Sequence, residues 1–186
     1  MSNMERVSGI PGSIGGAIVM NAGAYGSEFK DFVTSVRVID ENLEIREIPG
    51  EDMDFSYRHS AVMDKNYIVL GCHIKVIKKP QEEIDEVVDD VTFKRTSKQP
   101  LEMPSAGSTF KRPKDSYASL LIDQSGLKGF KHKGAMVSDK HTGFLVNHDN
   151  ATYKDVIELI EIVKEVVYEK SGIELEPEVK IVGEDR

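Results

Sequence analysis

The sequence predicts a mixed helix-and-strand fold in two parts. Three observations predict it. Alternating strand patterns crowd residues 33–77, helical periods of 3.6 occupy residues 82–92 and 151–171, and a Pro/Ser/Gly loop at 99–107 separates two halves. A chain of 186 residues with 39% apolar and 30% charged side chains suits one large domain or two small ones, with enough length to bury a real core.

The elements follow in order. Six of the fifteen glycines (Gly9, Gly12, Gly15, Gly16, Gly23 and Gly26) lie in the first 26 residues, around the apolar run Ala17-Ile18-Val19-Met20. Such a segment reads as a functional loop feeding a helix. Val33 to Asp40 alternates as a strand, Glu41-Asn42 signals a turn, and Leu43 to Ile48 reads as the returning strand. Tyr67 to Ile77 alternates again, with Ile68, Leu70, Cys72, Ile74 and Val76 on one face. Glu82 to Thr92 is helical, with Ile84, Val87, Val88 and Val91 on one side, acids early and Lys94, Arg95 and Lys98 near its end, as the helix dipole favours. Tyr117 to Ser125 forms a short helix closed by Gly126, and Gly143 to Asn147 a short buried strand. Asn150 is the expected N-cap of a long helix over 151–171 that ends at Gly172. Ile173 to Val182 is expected to be a last strand, with Pro177 confining it to an edge or bulge.

Charge and composition exclude several classes. A net charge of −8 argues against a nucleic-acid or anionic-membrane surface. One cysteine excludes a disulfide framework and a Cys-rich zinc site. Cys72, inside an apolar strand, is expected to be a buried, inert thiol, since reactive thiolates need electropositive, accessible settings. No apolar run approaches the roughly 18 residues of a membrane span. No signal sequence opens the chain, so a cytoplasmic protein is the expectation. The five histidines lack metal-ligand spacing, and no metal is expected.

Three segments carry candidate chemistry. Gly9-Ile10-Pro11-Gly12-Ser13-Ile14-Gly15-Gly16 is either a ligand-binding loop or a tight turn; it is neither a P-loop nor G-x-G-x-x-G. Phe55-Ser56-Tyr57-Arg58-His59-Ser60 sets an Arg among aromatics and hydroxyls, suited to holding a carboxylate in two parallel hydrogen bonds, or simply exposed. Ser105-Ala106-Gly107-Ser108-Thr109-Phe110-Lys111-Arg112-Pro113 places a hydroxyl beside two cations, either structural or a proton donor near an anion; it is no nucleophile elbow.

Taken together, these segments resemble one family, the UDP-N-acetylenolpyruvoylglucosamine reductases. The resemblance is carried by Gly9-Ile10-Pro11-Gly12, Asn21-Ala22-Gly23-Ala24-Tyr25-Gly26, Tyr57-Arg58-His59-Ser60, Gly107-Ser108-Thr109-Phe110-Lys111-Arg112-Pro113, Leu121 to Gly129, and Leu175-Glu176-Pro177-Glu178-Val179. It runs from about residue 6 to 183. It implies an α+β fold: part of a flavin-binding domain of the PCMH type over residues 1–97, a smaller α+β substrate-binding domain over 98–173, and residues 174–186 returning as a strand to the first domain. The chain would correspond to the C-terminal portion of the family, without the N-terminal flavin-binding region, and to the subclass lacking a tyrosine-bearing insertion.

The activity implied is FAD-dependent, NADPH-driven reduction of UDP-N-acetylglucosamine enolpyruvate to UDP-N-acetylmuramate in peptidoglycan synthesis, and so a link to cell-wall growth and division. The alternative is a non-catalytic portion that holds the UDP-sugar. By resemblance Arg58, Ser108 and Glu178 are catalytic: Arg58 stabilises negative charge, Ser108 donates a proton to C2, and Glu178 assists the enol. Gly9, Ile10, Pro11, Gly12, Ser13, Gly15, Gly16, Asn21, Gly23, Ala24 and Tyr25 would line the flavin. Tyr57, Lys98, Lys111, Arg112 and His141 would meet the UDP-sugar. NADPH is the implied co-substrate; neither nucleic acid nor membrane is an implied partner.

Overall fold

The computed structural model describes residues 4–183. It divides into two compact units, one up to Lys94 and one from Arg95 on.

In the first unit, the glycine-rich opening leads into α1 (Ile14–Val19), capped by Ser13, whose hydroxyl accepts from the Gly16 amide at 3.1 Å. The small hairpin β1 (Gly23–Ala24) and β2 (Ser27–Glu28) follows. An antiparallel sheet of order β4-β3-β5 comes next, from β3 (Val33–Ile39), β4 (Ile45–Pro49) and β5 (Ile68–Ile74). A 3-10 turn (Gly50–Met53) and α2 (Ala61–Lys65) lie between β4 and β5. Val36 and Val38 on the central strand are fully buried, with Ile18, Phe29, Phe32 and Met53 around them.

The β3–β4 turn is built by Asp40. Its buried carboxylate accepts from the amides of Asn42 (2.9 Å) and Glu44 (3.0 Å) and meets Arg46 Nε at 2.5 Å. These bonds occupy residues 41–44, so the returning strand begins at Ile45 rather than Leu43, which takes a left-handed φ of 63°. β5 also departs from simple alternation. Val69 pairs with Val38 and Gly71 with Arg37, leaving Leu70 as an unpaired bulge. The bulge resets the pleat. Val69 and Cys72 therefore both pack on the core, while Ile68 and Leu70 are exposed. Cys72 is half-buried, and burial raises its thiol pKa, which keeps the thiol protonated.

α3 (Gln81–Lys98) crosses the division between the units and runs six residues beyond the expected end, to the turn before Pro100. In the second unit, the sheet has order β6-β9-β8-β7, from β6 (Ser105–Ser108), β7 (Lys131–His132), β8 (Ala135–Val137) and β9 (Phe144–Asn147). β6 occupies part of the expected 99–107 loop. The core joins α4 (Ala118–Gln124), β8, β9 and α5 (Tyr153–Ser171) through Ile122, Val137, Leu159, Val163 and Val167.

Two expectations are corrected in this unit. The α5 cap is Thr152, not Asn150: the Thr152 hydroxyl accepts from the Asp155 amide and the Asp155 carboxylate from the Thr152 amide, a reciprocal box. Asn150 instead takes a left-handed turn at φ 48°. Residues 173–182 form no strand; a single bridge joins Phe110 and Pro177. Pro177 has no N–H to donate, so the pairing stops at two backbone bonds, Lys111 N–H to Glu176 O and Glu178 N–H to Thr109 O, both 2.8 Å. Among the described residues, no helix is long and apolar enough to cross a membrane.

Candidate functional site

The first unit collects the glycine loop, the Asn21–Gly26 segment and Arg58. Gly9 and Gly12 take φ of 74° and 136°, and a Cβ placed on Gly12 would meet nothing within 4 Å. The loop is exposed from Pro11 to Ser13. Bare, left-handed backbone in open space is the surface a dinucleotide can approach closely, so these residues fit an FAD edge. Gly23 is bare for another reason: a Cβ there would lie 2.6 Å from Ser27 O, across the tight β1–β2 pair.

Asn21 is fully buried and left-handed, and its amide is engaged within the protein. Its Nδ2 donates to Glu28 Oε2 (2.6 Å) and to Ser56 O (3.0 Å), while its Oδ1 accepts from the Lys30 amide (3.0 Å). Asn21 thus ties the segment before Tyr25 to the turn that carries Arg58. Tyr25 is half-buried at φ 52°, and its carbonyl accepts from Arg6 Nη1 at 2.8 Å.

Arg58 sits at the tip of a two-residue turn between Ser56 and His59, at φ 56°, with its guanidinium 4.9 Å from the Tyr57 ring centroid. Ser60, buried behind it, donates to Val19 O at 2.9 Å. A left-handed arginine costs backbone energy, and the surrounding bonds hold it there. His59, Asp54 and Asp64 present ligand-type atoms within 4.8 Å of one another, a grouping hidden from a search by H-x-x-x-H spacing. Both ring nitrogens of His59 have protein partners, Asp54 O and Asp64 Oδ2.

The second unit brings Ser108 and Glu178 together through the backbone. Ser108 ends β6, and the Glu178 amide bonds the carbonyl of the next residue, Thr109. Thr109 is itself pinned. Its N–H donates to Gly143 O at 2.9 Å, and its buried hydroxyl accepts from the Leu145 amide at 3.2 Å. Ser108 is exposed and Glu178 half-buried. Lys111 pairs with Glu176 across the same junction. The Arg112 guanidinium stacks 4.1 Å over the Tyr117 ring.

Beside these lies an open cleft of about 390 Å³, lined by Tyr117, Ser119, Leu120, Asp123, Lys128, Asp139, Lys140, His141 and Thr142. His141 is the one residue expected from the sequence to meet substrate that lines it; Lys98, at the end of α3, Lys111 and Arg112 do not. Burial lowers the His141 pKa, and its Nδ1 accepts from the Gly143 amide (3.2 Å), so the ring is neutral at pH 7. Lys140 reaches Thr96 O (3.0 Å) and Glu102 (3.4 Å). The sequence reading missed Lys128 as a site residue. Its signal was its place between Gly126 and Gly129, both left-handed at φ 74° and 70°, beside buried Leu127.

The fold is α+β, and residues 1–48 match the family described as an FAD binding domain. Residues 99–182 match the UDP-N-acetylenolpyruvoylglucosamine reductase C-terminal domain. The reductase of that name from Caldanaerobacter subterraneus subsp. tengcongensis is 53% identical over 184 residues, 99% of this chain and 61% of the relative. The one from Clostridioides difficile is 48% identical over 185 residues, 100% of this chain and 61% of the relative. The crystal structure of UDP-N-acetylenolpyruvylglucosamine reductase from Thermus caldophilus superposes with a TM-score of 0.85 at 35% identity, covering 96% of this chain and 64% of that one. The chain is similar to the UDP-N-acetylenolpyruvoylglucosamine reductases along nearly all of its own length, and it spans about 61% of the length of these two sequence relatives.

Proposed function

We propose that the chain carries catalytic residues of an NADPH-driven reductase that converts UDP-N-acetylglucosamine enolpyruvate to UDP-N-acetylmuramate for peptidoglycan synthesis. The observation that carries the reading is the junction of Ser108 with Glu178 through the 2.8 Å Glu178 N–H to Thr109 O bond. It sets a hydroxyl and a carboxylate from two of the motifs that carry the resemblance at neighbouring backbone positions. Residues 1–97 would supply the flavin side, 98–173 the substrate side, and 174–186 would carry Glu178 into the site.

FAD, held along Gly9–Gly16 and Ala24–Tyr25, supplies hydride chemistry when bound, with NADPH as the source of electrons. The chain's own residues do the rest. The Arg58 guanidinium holds the substrate carboxylate and the negative charge that grows on the enol after hydride reaches C3, which is stabilisation by a prepositioned donor. Ser108 Oγ gives its proton to C2, and Glu178 assists the enol. Arg112, Lys111, Tyr57, Lys98 and His141 would bind the UDP-sugar. The neutral His141 ring suits a hydrogen bond rather than an ion pair with diphosphate.

The test separates the half-reactions in a form of the protein that reduces flavin. Ser108→Ala should leave flavin reduction by NADPH unchanged and cut oxidation by the enolpyruvyl substrate about 10²-fold or more, the scale of a lost general acid. Wild-type substrate reduction by Ser108→Ala would remove Ser108 from the mechanism. Titration of the 186-residue chain with FAD, followed by flavin fluorescence, tests whether this portion alone holds the cofactor.

A second reading, a UDP-sugar-binding portion without redox chemistry, is favoured by the cleft beside Lys128, Lys140 and His141. Calorimetry with the UDP-sugar and no flavin would register binding under that reading. Absence of heat at millimolar ligand sinks it.

A further inference from the structure

Arg58 stands at the tip of a turn closed by two backbone bonds, Ser56 N–H to His59 O and His59 N–H to Ser56 O, both 3.2 Å, with Asn21 Nδ2 donating to Ser56 O at its base. So short a ribbon is marginal by itself. The His59 ring adds a constraint on the far side of the turn from Asn21's bond to Ser56 O, at the residue next to Arg58. Its Nδ1 lies 3.2 Å from Asp54 O, at the end of the 3-10 turn, and its Nε2 3.0 Å from Asp64 Oδ2, on α2. One side chain thereby fastens the turn to two separate elements.

We propose that His59 is a positioning residue: a proton-dependent latch that holds the Ser56–His59 turn and so fixes where Arg58 is presented. The inference rests on the reading of Arg58 given above. Both partners of the ring are acceptors. The imidazolium donates to both at once, whereas a neutral ring must turn a lone pair toward either the Asp54 carbonyl or the Asp64 carboxylate. The charged groups turned toward the ring are the Asp54 and Asp64 carboxylates, and both favour the imidazolium; the Arg58 guanidinium lies over the Tyr57 ring. The bond to the Asp54 carbonyl, then Asp64, raises the His59 pKa above its ordinary 6.5. The latch is therefore closed below 6.5 and opens as pH rises through the higher folded-state value.

The test is NMR on the 186-residue chain between pH 5 and 9, following the His59 ring, the order of the Arg58 Nε–H group and the exchange of the Ser56 and His59 amides. In the wild type, Arg58 order should fall, and amide protection drop about tenfold, with the His59 midpoint. Asp64→Asn should lower that midpoint, and the Arg58 transition should follow it. His59→Gln should abolish the transition. A wild-type Arg58 signal that is indifferent to His59 titration overturns the latch, as does an Arg58 midpoint that stays put in Asp64→Asn. If His59→Gln fails to fold, Asp64→Asn alone decides. None of these readouts needs turnover, so the latch can stand while Arg58→Ala, assayed separately, refutes the catalytic role of Arg58.

Discussion

Asn21 is a residue whose work is visible only in the fold. By sequence it is one member of a glycine-rich motif and a candidate flavin contact. In the folded chain its amide makes three bonds inside the first unit, one of them to the turn of Arg58. Asn21→Ala should therefore destabilise the protein by about 2 kcal/mol, since it takes one of two donors from the Ser56 carbonyl, removes the acceptor of the Lys30 amide and strains a positive φ; chemical denaturation measures it. His141 makes a pH prediction. Its folded pKa is depressed by burial, so the unfolded state binds the proton first as pH falls. Stability is fully present above the unfolded value of about 6.5 and declines as pH drops through 6.5 toward the folded pKa. Thermal melts at pH 7.5 and 5.5 should differ more for the wild type than for His141→Gln.

At the scale of elements, α5 was legible because its apolar stripe repeats over nineteen residues. Its start was not, since Asn150 and Thr152 are both good caps and the choice depends on which backbone turns first. Asn147 settles it by accepting the Ala151 amide at 2.9 Å, which leaves Thr152 to open the helix. Thr152→Ala should cost about 1 kcal/mol by removing the cap, while Asn150→Ala, which removes no cap, should cost less; paired urea melts would compare them. The strands β6, β7 and β8 escaped the sequence reading because runs of two to four residues carry too few positions to show a period of two. β5 was legible in place, though it ends at Ile74 rather than Ile77, and not in facing, because one bulge at Leu70 reverses the pleat.

For the whole molecule, the β5 bulge leaves Ile68 59% and Leu70 43% exposed on the first unit's sheet. Leu70→Lys should leave the melting temperature within a degree or two, because an unpaired, exposed position contributes little core, and should lower any self-association seen by light scattering at high concentration. A loss of several degrees would mean that Leu70 is packed.

The sequence by itself determined the family-bearing motifs, the mixed fold class and the long helices, because periodicity and turn chemistry are local properties written in neighbouring residues. Only the tertiary structure decided which residues meet. Glu178 reaches Thr109 across about seventy residues, Asn21 reaches Ser56 across thirty-five, and His59 takes its two partners from different elements. Such contacts depend on how backbone hydrogen bonds are shared out between distant segments, and no spacing along the chain encodes them.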